Sequence, residues 1–182
     1  MKWLRQNIGF LFFMLALLAA RSSFADHYVV PSGSMEKTLF PGDRVLVDKQ
    51  AYGLRIPFTL VKITRGEAPA RGDVIIFDAP DSGTRLIKRI VAVGGDLLEV
   101  RDGHVFINGA PSDSKAALEL RDGGGPDVAP IRVSVGQVFA MGDFRGNSRD
   151  SRFFGFVRVD EIYAKAAGVY YRSGEGLTWR PL

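Results

Sequence analysis

Residues 85–93 read RLIKRIVAV, an apolar stretch rich in β-branched residues with one lysine near its centre. Such residues favour the pleated, half-buried environment of a β-strand. Period-2 alternation places Leu86, Lys88 and Ile90 on one face of this strand and the residues between them on the other. Because Lys88 then stands between two apolar neighbours, we expect it to be partly desolvated, which lowers the pKa of its amine.

Strand signals of the same kind recur along the chain, in segments bounded by Gly, Pro or Asp. They lie at 43–48, 73–77, 97–100, 104–107, 133–141 and 162–171. The pair Asp102-Gly103 predicts a tight hairpin between two of them. Residues 111–130 interrupt the pattern, and the run DGGGP at 122–126 predicts a flexible surface loop. We therefore expect a mainly β fold, a coiled antiparallel sheet closed partly into a barrel, with a small inserted β lobe at about 97–132.

The 182-residue chain has a net charge of +4 and no cysteine. Without cysteine, thiol catalysis, disulfide bridges and zinc–thiolate sites are excluded. Lysine and arginine are scattered among nearly as many acids, with no basic run, so we expect no nucleic acid partner. The length suffices for one domain with a substantial core once the N-terminal segment is set aside.

An apolar run of 13 residues, Ile8–Ala20, follows Lys2 and Arg5. It is short for a bilayer span, which needs about 20 residues, although flanking residues can extend it. The same segment fits a cleaved signal peptide, with Ser23-Phe24-Ala25 as a small-x-small cleavage site. Under either interpretation the chain after Asp26 lies across a membrane.

A candidate nucleophile lies in the turn PSGSM at 31–35. A serine such as Ser34 is a poor nucleophile unless a base removes its proton, and without support it is an ordinary turn residue. The sequence has two histidines, of which His27 has no obvious orienting acid and His104 falls in the predicted hairpin. Lys88 is the better candidate base, although a lysine of an edge strand can also extend to solvent. To act near neutral pH its pKa must fall by about 3 units, which corresponds to about 4 kcal/mol.

Further polar groups could complete a site for acyl transfer. The oxyanion of the tetrahedral intermediate needs two donors, and the candidates are the Ser34 backbone N–H and the Ser32 hydroxyl. Ser32 could instead close its own turn. Ser148 could hydrogen-bond the Lys88 amine and orient it, or simply cap its loop. The segment 142–152 around it has too many charges for a core, and we expect four of its residues to form an ion-pair network that holds the loop rigid: Asp143, Arg145, Asp150 and Arg152.

Together these segments resemble the bacterial type I signal peptidases, the Ser/Lys leader peptidases that remove signal sequences from exported preproteins. The resemblance covers nearly all of the chain from about Arg21 onward, and it rests on four segments that occur in order with sensible spacing. They are PSGSM at 31–35, RGD at 71–73 leading into 74–77, IKR at 87–89 leading to GGD at 94–96, and GD followed by NSRDSR within 142–152.

The resemblance implies a role for each of these positions. Ser34 would be the nucleophile and Lys88 the general base. Ser32 and the Ser34 backbone would form the oxyanion hole, and Ser148 would orient the lysine. Structural support of the site is implied for Asp150, Arg152 and Arg89. A substrate pocket for small side chains, usually alanine at the first and third positions before the cut, is implied at Tyr28, Val30, Pro31, Met35, Leu39, Leu86 and Ile87. The substrate would bind as an extended strand.

Two positions depart from the family pattern. Lys37 stands where the family usually has proline, and Phe144 stands where it usually has asparagine. Neither position belongs to the implied Ser/Lys dyad, so the departures bear on substrate preference more than on the reaction. Members of the family keep an uncleaved membrane anchor, which favours an N-terminal transmembrane helix within 1–25. Because Ser23-Phe24-Ala25 resembles the motif such enzymes cut, self-cleavage before Asp26 is a further hypothesis.

The sequence thus predicts a membrane-bound serine endopeptidase that removes signal peptides after an Ala-x-Ala-like motif, with no metal or cofactor. Its partners would be preprotein signal peptides and the lipid bilayer. It would cross the bacterial cytoplasmic membrane once, with the catalytic domain, 26–182, on the periplasmic side. Alternatives are a specialised peptidase that processes a pilin or a conjugation-related protein, a self-cleaving repressor with the same dyad, and an inactive exported β-domain that binds a partner. The oligomeric state stays open.

Overall fold

The computed structural model describes residues 7–14, 25–53, 63–64, 66–119 and 124–182. Helix α1 comprises residues 7–14, α2 Lys115–Glu119 and α3 Ser151–Phe154. Short 3-10 helices lie at Gly33–Met35, Arg145–Asn147 and Val159–Glu161. The strands are β1 Ala25–Val29, β2 Arg44–Asp48, β3 Val74–Asp78, β4 Arg85–Val93, β5 Leu97–Arg101, β6 His104–Ile107, β7 Ala110–Pro111, β8 Val128–Arg132, β9 Gln137–Met141, β10 Val157–Arg158, β11 Ile162–Arg172 and β12 Gly176–Pro181.

The N-terminal anchor predicted within 1–25 falls largely outside the described residues. None of the helices in the described ranges is long and apolar enough to span a membrane. Of the predicted cleavage motif before Asp26, only Ala25 is described, as the first residue of β1.

The larger sheet has the strand order β1-β2-β11-β3-β4-β9-β10, with β12 paired to β11, and its described pairs are antiparallel. The mainly β, antiparallel fold is therefore confirmed. The stretch that was predicted as a strand from its β-branched residues, 85–93, is β4, and it lies between β3 and β9 inside the sheet. Because β1 and β10 stand at the two ends of this order, the described pairing is that of an open sheet, and partial closure stays a prediction.

A second sheet, with the order β7-β6-β5-β8, occupies residues 97–132, the range in which an inserted lobe is expected. The predicted hairpin is confirmed, since Arg101 pairs with His104 across a turn in which Asp102 and Gly103 have φ angles of 47° and 76°. Such left-handed angles suit an Asp-Gly turn. Strand β8 was not expected, because it lies partly in the range that lacks a strand pattern and contains a proline.

Side chains of β4 enter different parts of the core. Ile87 packs in one hydrophobic cluster, whereas Leu86 and Ile90 pack in another. The alternation predicted for these three residues is therefore confirmed. Lys88 pairs in register with Ile75 of β3, so a lysine is carried into the interior by a strand that is apolar on both faces.

Candidate active site

Ser34 lies in a 3-10 helix between β1 and β2. The following residue, Met35, is fully buried, and its carbonyl accepts a hydrogen bond of 2.7 Å from the Leu39 N–H. These contacts anchor the turn to the core. A Cβ on Gly33 would overlap the carboxylate of Glu36, so a larger residue here would displace that flexible side chain. Ser34 is consequently held in the interior, 7 % exposed.

Lys88 of β4 contacts this serine. Its Nζ donates a hydrogen bond of 2.6 Å to Ser34 Oγ, and the lysine is only 2 % exposed. Burial disfavours the charged amine and lowers the pKa of Lys88 from 10.5 to about 8. The carboxylates of Asp150 and Asp143 oppose this fall in pKa, whereas the Arg152 guanidinium adds to it. The predicted desolvation of Lys88 is thus confirmed, and the alternative, a side chain extending to solvent, is wrong.

Ser32 stands two residues before the candidate nucleophile, with its hydroxyl 3.4 Å from Ser34 Oγ, to which it donates. The N–H groups of the first helical turn have no acceptor within their helix, which leaves the Ser34 N–H suited to an external acceptor. Both groups predicted to bind an oxyanion therefore lie beside the nucleophile. Their role stays a prediction.

Ser148 is buried, and its Oγ has no hydrogen-bond partner among the described residues. The hydrogen bond that was expected between Ser148 and Lys88 is not formed in this structure, so the orienting role stays a prediction. Ser148 Oγ lies against Gly142, where a Cβ would overlap both this oxygen and the Ser34 carbonyl. The same carbonyl accepts a hydrogen bond of 3.1 Å from the Phe144 N–H. Gly142 is thus the point at which the loop meets the nucleophile turn.

A solvated loop was expected at 142–152, but most of this charged segment is buried, and its exposed residues are Gly146, Asn147 and Arg149. Arg149 is exposed, whereas the other four charged residues are at most 8 % exposed: Asp143, Arg145, Asp150 and Arg152. Charges can be buried in this way when each is paired and hydrogen-bonded. The prediction that so many charges exclude a core position was therefore wrong.

Two ion pairs of these buried residues lie next to the site. Arg152 Nε lies 2.8 Å from Asp150 Oδ1, and the other oxygen of Asp150 accepts from the Gly142 N–H at 3.0 Å. Arg89, one residue after the candidate base, contacts Asp143 at 2.8 Å. The Asp150, Arg152 and Arg89 side chains thus connect the loop to itself and to β4, and their role as support of the site stays a prediction.

The expected ion-pair network inside the loop is only partly present, because Asp143 and Arg145 have partners outside it. Arg145 Nη1 lies 2.9 Å from Asp113 Oδ1, in the lobe. Asp143 also accepts a hydrogen bond of 2.6 Å from Thr38 Oγ1, just after the nucleophile turn. A further one, of 3.2 Å, comes from Ser114 Oγ. These partners were missed because they lie 29, 32 and 105 residues earlier in the chain than the residues they contact.

The residues implied for the substrate pocket fall into two groups. Four of them belong to the core and are at most 3 % exposed: Val30, Met35, Leu39 and Ile87. Pro31 is exposed, and Tyr28 and Leu86 are half-buried, so these three offer surface to a peptide while the others lie beneath. Burial raises the pKa of the Tyr28 hydroxyl, which donates to the Arg85 carbonyl at 3.3 Å. The pocket itself stays a prediction.

Neither histidine is a hydrogen-bond partner of Ser34 in this structure. His27 is exposed on β1, and His104 is exposed in the lobe with Nδ1 2.9 Å from Asp113. The described ranges contain no cluster of His, Asp and Glu that could hold a metal ion. An open cavity of about 730 Å³ lies elsewhere, between Tyr52 and Val138, and neither Ser34 nor Lys88 lines it.

Comparisons with known proteins complete this description. A family model described as signal peptidase, peptidase S26, matches residues 2–171. A probable signal peptidase I-1 of Synechocystis is 35 % identical over 174 residues, which cover 91 % of this chain and 81 % of that protein. Signal peptidase I of Pseudomonas fluorescens is 32 % identical, with 86 % and 68 % covered. A crystal structure of a signal peptidase I from Enterococcus faecalis aligns with a TM-score of 0.46 and 27 % identity, over 62 % of this chain and 97 % of that chain.

A mainly β fold that buries a serine against an amine, together with these relatives, defines a class: the chain is a serine peptidase. Within that class it belongs to the signal peptidase family, peptidase S26.

Proposed function

We propose that this chain is a membrane-anchored endopeptidase that removes signal peptides from exported preproteins, with Ser34 as nucleophile and Lys88 as general base. The observation that carries the proposal is the hydrogen bond of 2.6 Å between Lys88 Nζ and Ser34 Oγ in buried surroundings. A nucleophile within hydrogen-bond reach of a base is the arrangement that covalent catalysis by serine requires. Membership in the signal peptidase family supports the choice of substrate.

The reaction begins with a neutral Lys88. Its amine takes the proton of Ser34 as Oγ attacks the carbonyl carbon of the scissile peptide bond. The oxyanion that forms accepts hydrogen bonds from the Ser34 N–H and the Ser32 hydroxyl. Protonated Lys88 then gives its proton to the leaving amine, the C–N bond breaks, and an ester of Ser34 remains. Water, deprotonated by Lys88, hydrolyses this ester and restores the serine.

The substrate binds as an extended strand along β4. Residues of β4 up to Lys88 pair with β3 on one side, and the described pairing with β9 on the other side begins only at Arg89. This leaves a strand edge next to the amine where a peptide can form backbone hydrogen bonds. Tyr28 and Leu86 flank that edge and favour small residues, as in an Ala-x-Ala motif, before the cut.

The N-terminal segment, 1–25, anchors the enzyme in the bacterial cytoplasmic membrane by a single span, with the catalytic domain on the periplasmic side. Lys2 and Arg5, which precede the apolar run 8–20, support this orientation. Self-cleavage before Asp26 would release the domain, and an intact N-terminus on protein purified from membranes would exclude it.

The proposal is tested by cleavage of an Ala-x-Ala preprotein in detergent, with the cut located by mass spectrometry. Wild type should cut after the second alanine, and Ser34→Ala should be inactive with its melting temperature retained. Ser173→Ala, a change at an exposed serine, is the matched control and should cut like wild type.

Two outcomes would change the proposal. Wild type that cuts no Ala-x-Ala preprotein would favour the specialised peptidase that processes a pilin or a conjugation-related protein. Full activity of Ser34→Ala would remove Ser34 from the mechanism.

A further inference from the structure

Among the described residues, side chains of the loop 142–152 make four hydrogen-bonded contacts with the lobe formed by β5–β8 and its connections. Arg145 contacts Asp113 and the carbonyl of Gly103, Asp143 contacts Ser114, and Arg152 contacts the carbonyl of Gly124. The lobe thus touches the loop that borders the active site, although it contributes no residue to the Ser34–Lys88 pair.

The contact between Arg145 and Asp113 is buried on both sides, with side chains 4 % and 6 % exposed. Arg145 Nη1 donates to Asp113 Oδ1 at 2.9 Å and also to the carbonyl of Gly103, in the turn between β5 and β6. Burial lowers the pKa of Arg145, and the Asp113 carboxylate counteracts this by stabilising the cation. Asp113 is itself held by the Val105 N–H at 3.1 Å. The arginine is therefore fixed by a carboxylate that β6 holds in place.

The other end of this arginine reaches the active site. Arg145 Nε donates to the Gly142 carbonyl at 3.0 Å. Gly142 in turn packs against Ser148 Oγ and the Ser34 carbonyl so closely that no Cβ would fit. Contacts therefore run without interruption from the lobe, through one buried guanidinium, to the backbone of the nucleophile turn.

We propose that Asp113 is a positioning residue of the peptidase, and that the lobe holds Gly142 against Ser34 and Ser148 through Arg145. The proposal rests on the proposed function, since it concerns the geometry of the same Ser34–Lys88 pair. A displacement of about 1 Å in an active site can reduce the rate up to about a hundredfold. Release of Gly142 therefore affects the chemical step, whereas the substrate edge of β4 stays in place.

Steady-state cleavage of the preprotein by Asp113→Ala tests this inference. We expect kcat to fall about tenfold or more with KM within about twofold of wild type. Asp113→Asn should retain more activity, because its amide oxygen still accepts from Arg145. Asp102→Asn is the matched control: it lies in the same lobe, is exposed, and occupies a left-handed turn position that asparagine tolerates. It should match wild type.

Two further readouts separate positioning from a general loss of stability. Hydrogen exchange should become faster in 142–152 of Asp113→Ala while β3 and β4 keep their protection. If Asp113 acts through Arg145, the double variant Asp113→Ala/Arg145→Ala should lose no more kcat than Arg145→Ala alone. If Asp113→Ala does not fold, Asp113→Asn replaces it: its kcat should then fall below that of Asp102→Asn, and an equal kcat overturns the inference.

The inference is overturned if the kcat of Asp113→Ala equals that of Asp102→Asn, or if exchange rises uniformly over the whole domain. Failure of the proposed function is a separate result: wild type then cuts no preprotein, while hydrogen exchange still shows whether Asp113 orders the loop.

Discussion

Strand β4 and the loop 142–152 both bury cations, and they do so in different ways. Lys88 on β4 has a neutral hydroxyl as its hydrogen-bond partner, and the pKa of its amine falls to about 8. Arg145 and Arg152 in the loop each contact a carboxylate, at 2.9 and 2.8 Å. Burial alone therefore does not decide the role of a cation. A buried arginine stays charged because its intrinsic pKa is high, and its carboxylate partner offsets the cost of burial. A buried lysine without a directly bound carboxylate can reach its neutral, basic form.

The largest effect on activity is expected when Lys88, the buried cation without a bound carboxylate, is removed. Lys88→Met should lower kcat/KM at least about a thousandfold, because the base that activates Ser34 is lost. Its free energy of unfolding should equal or exceed that of wild type, because a buried charge without a bound carboxylate has been replaced by an apolar side chain of similar length. Preprotein cleavage and urea denaturation measure the two quantities.

The matched control is Lys115→Met, a change at an exposed lysine of α2, which should leave both quantities unchanged. Retained activity of Lys88→Met would contradict the lysine-base mechanism.

A large effect on stability is expected where a paired cation loses its partner. Asp150→Ala leaves Arg152 buried without a carboxylate and should lower the free energy of unfolding by about 3–5 kcal/mol. The double variant Asp150→Ala/Arg152→Met should recover part of that loss, since the unpaired charge is gone. Glu175→Ala breaks the exposed pair with Arg180 and should cost less than about 1 kcal/mol. Equal losses for Asp150→Ala and Glu175→Ala would remove the distinction between buried and exposed pairs.

The activity should depend on pH through the Lys88 amine. With a Lys88 pKa of about 8, the active neutral amine decreases as pH falls, so kcat/KM should rise with pH and level off above about 8. Between pH 6 and 8 the neutral fraction changes about fiftyfold for such a group. A profile that is flat between pH 6 and 8 would show that Lys88 does not titrate in this range.

Stability should follow pH in the same direction. The unfolded chain has a lysine pKa near 10.5 and binds more protons than the native state between about pH 8 and 10.5. The Lys88 contribution to the free energy of unfolding should therefore rise by up to about 3 kcal/mol across this window, and be constant below and above it. Lys88→Met provides the reference curve, because it lacks this group and keeps all others.

The smallest effect, on stability, is expected at the exposed Lys37, a cation that is not buried. Its φ angle of 74° is left-handed, so its backbone matters more than its charge. Lys37→Gly should stabilise the protein by about 1 kcal/mol, whereas Lys37→Met should change nothing measurable. Lys37→Pro should destabilise it, because proline fixes φ near −65°. An unchanged stability of Lys37→Pro would mean that this turn can adopt the backbone that proline requires. The proline usual at this position in the family pattern points in that direction.

Local patterns were sufficient to predict much of the fold and the burial of Lys88, whereas the pairing of Ser34 with Lys88 was implied by the family resemblance. The bounds of β4 followed from its β-branched residues, and the hairpin at Asp102-Gly103 from turn chemistry. The burial of Lys88 followed from the apolar residues on either side of it. In each of these cases the residues that determine the local structure lie within a few positions of it in the sequence.

The rest of the site could not be predicted in this way, because its partners are distant in sequence. Arg145 meets Asp113, 32 residues earlier, and Asp143 meets Ser114, 29 residues earlier. No periodicity marks such pairs, and a segment as charged as 142–152 looks solvated until its counter-ions are known. Strands β1 and β12 were missed for a related reason. Their short sequences do not indicate a strand, and they are extended because they pair with β2 and β11.

The hydrogen bond between Ser34 and Lys88 joins residues 54 positions apart, and the loop that borders it comes later still in the chain. Such non-local contacts form late, because the entropy of closing long loops opposes them until neighbouring strands have paired. If Ser34 and Lys88 act as proposed, proteolytic competence is expected only once β4 is in place against the turn that carries Ser34. On the same proposal, a newly made or partly unfolded molecule has no assembled Ser34–Lys88 pair and would not cut neighbouring chains.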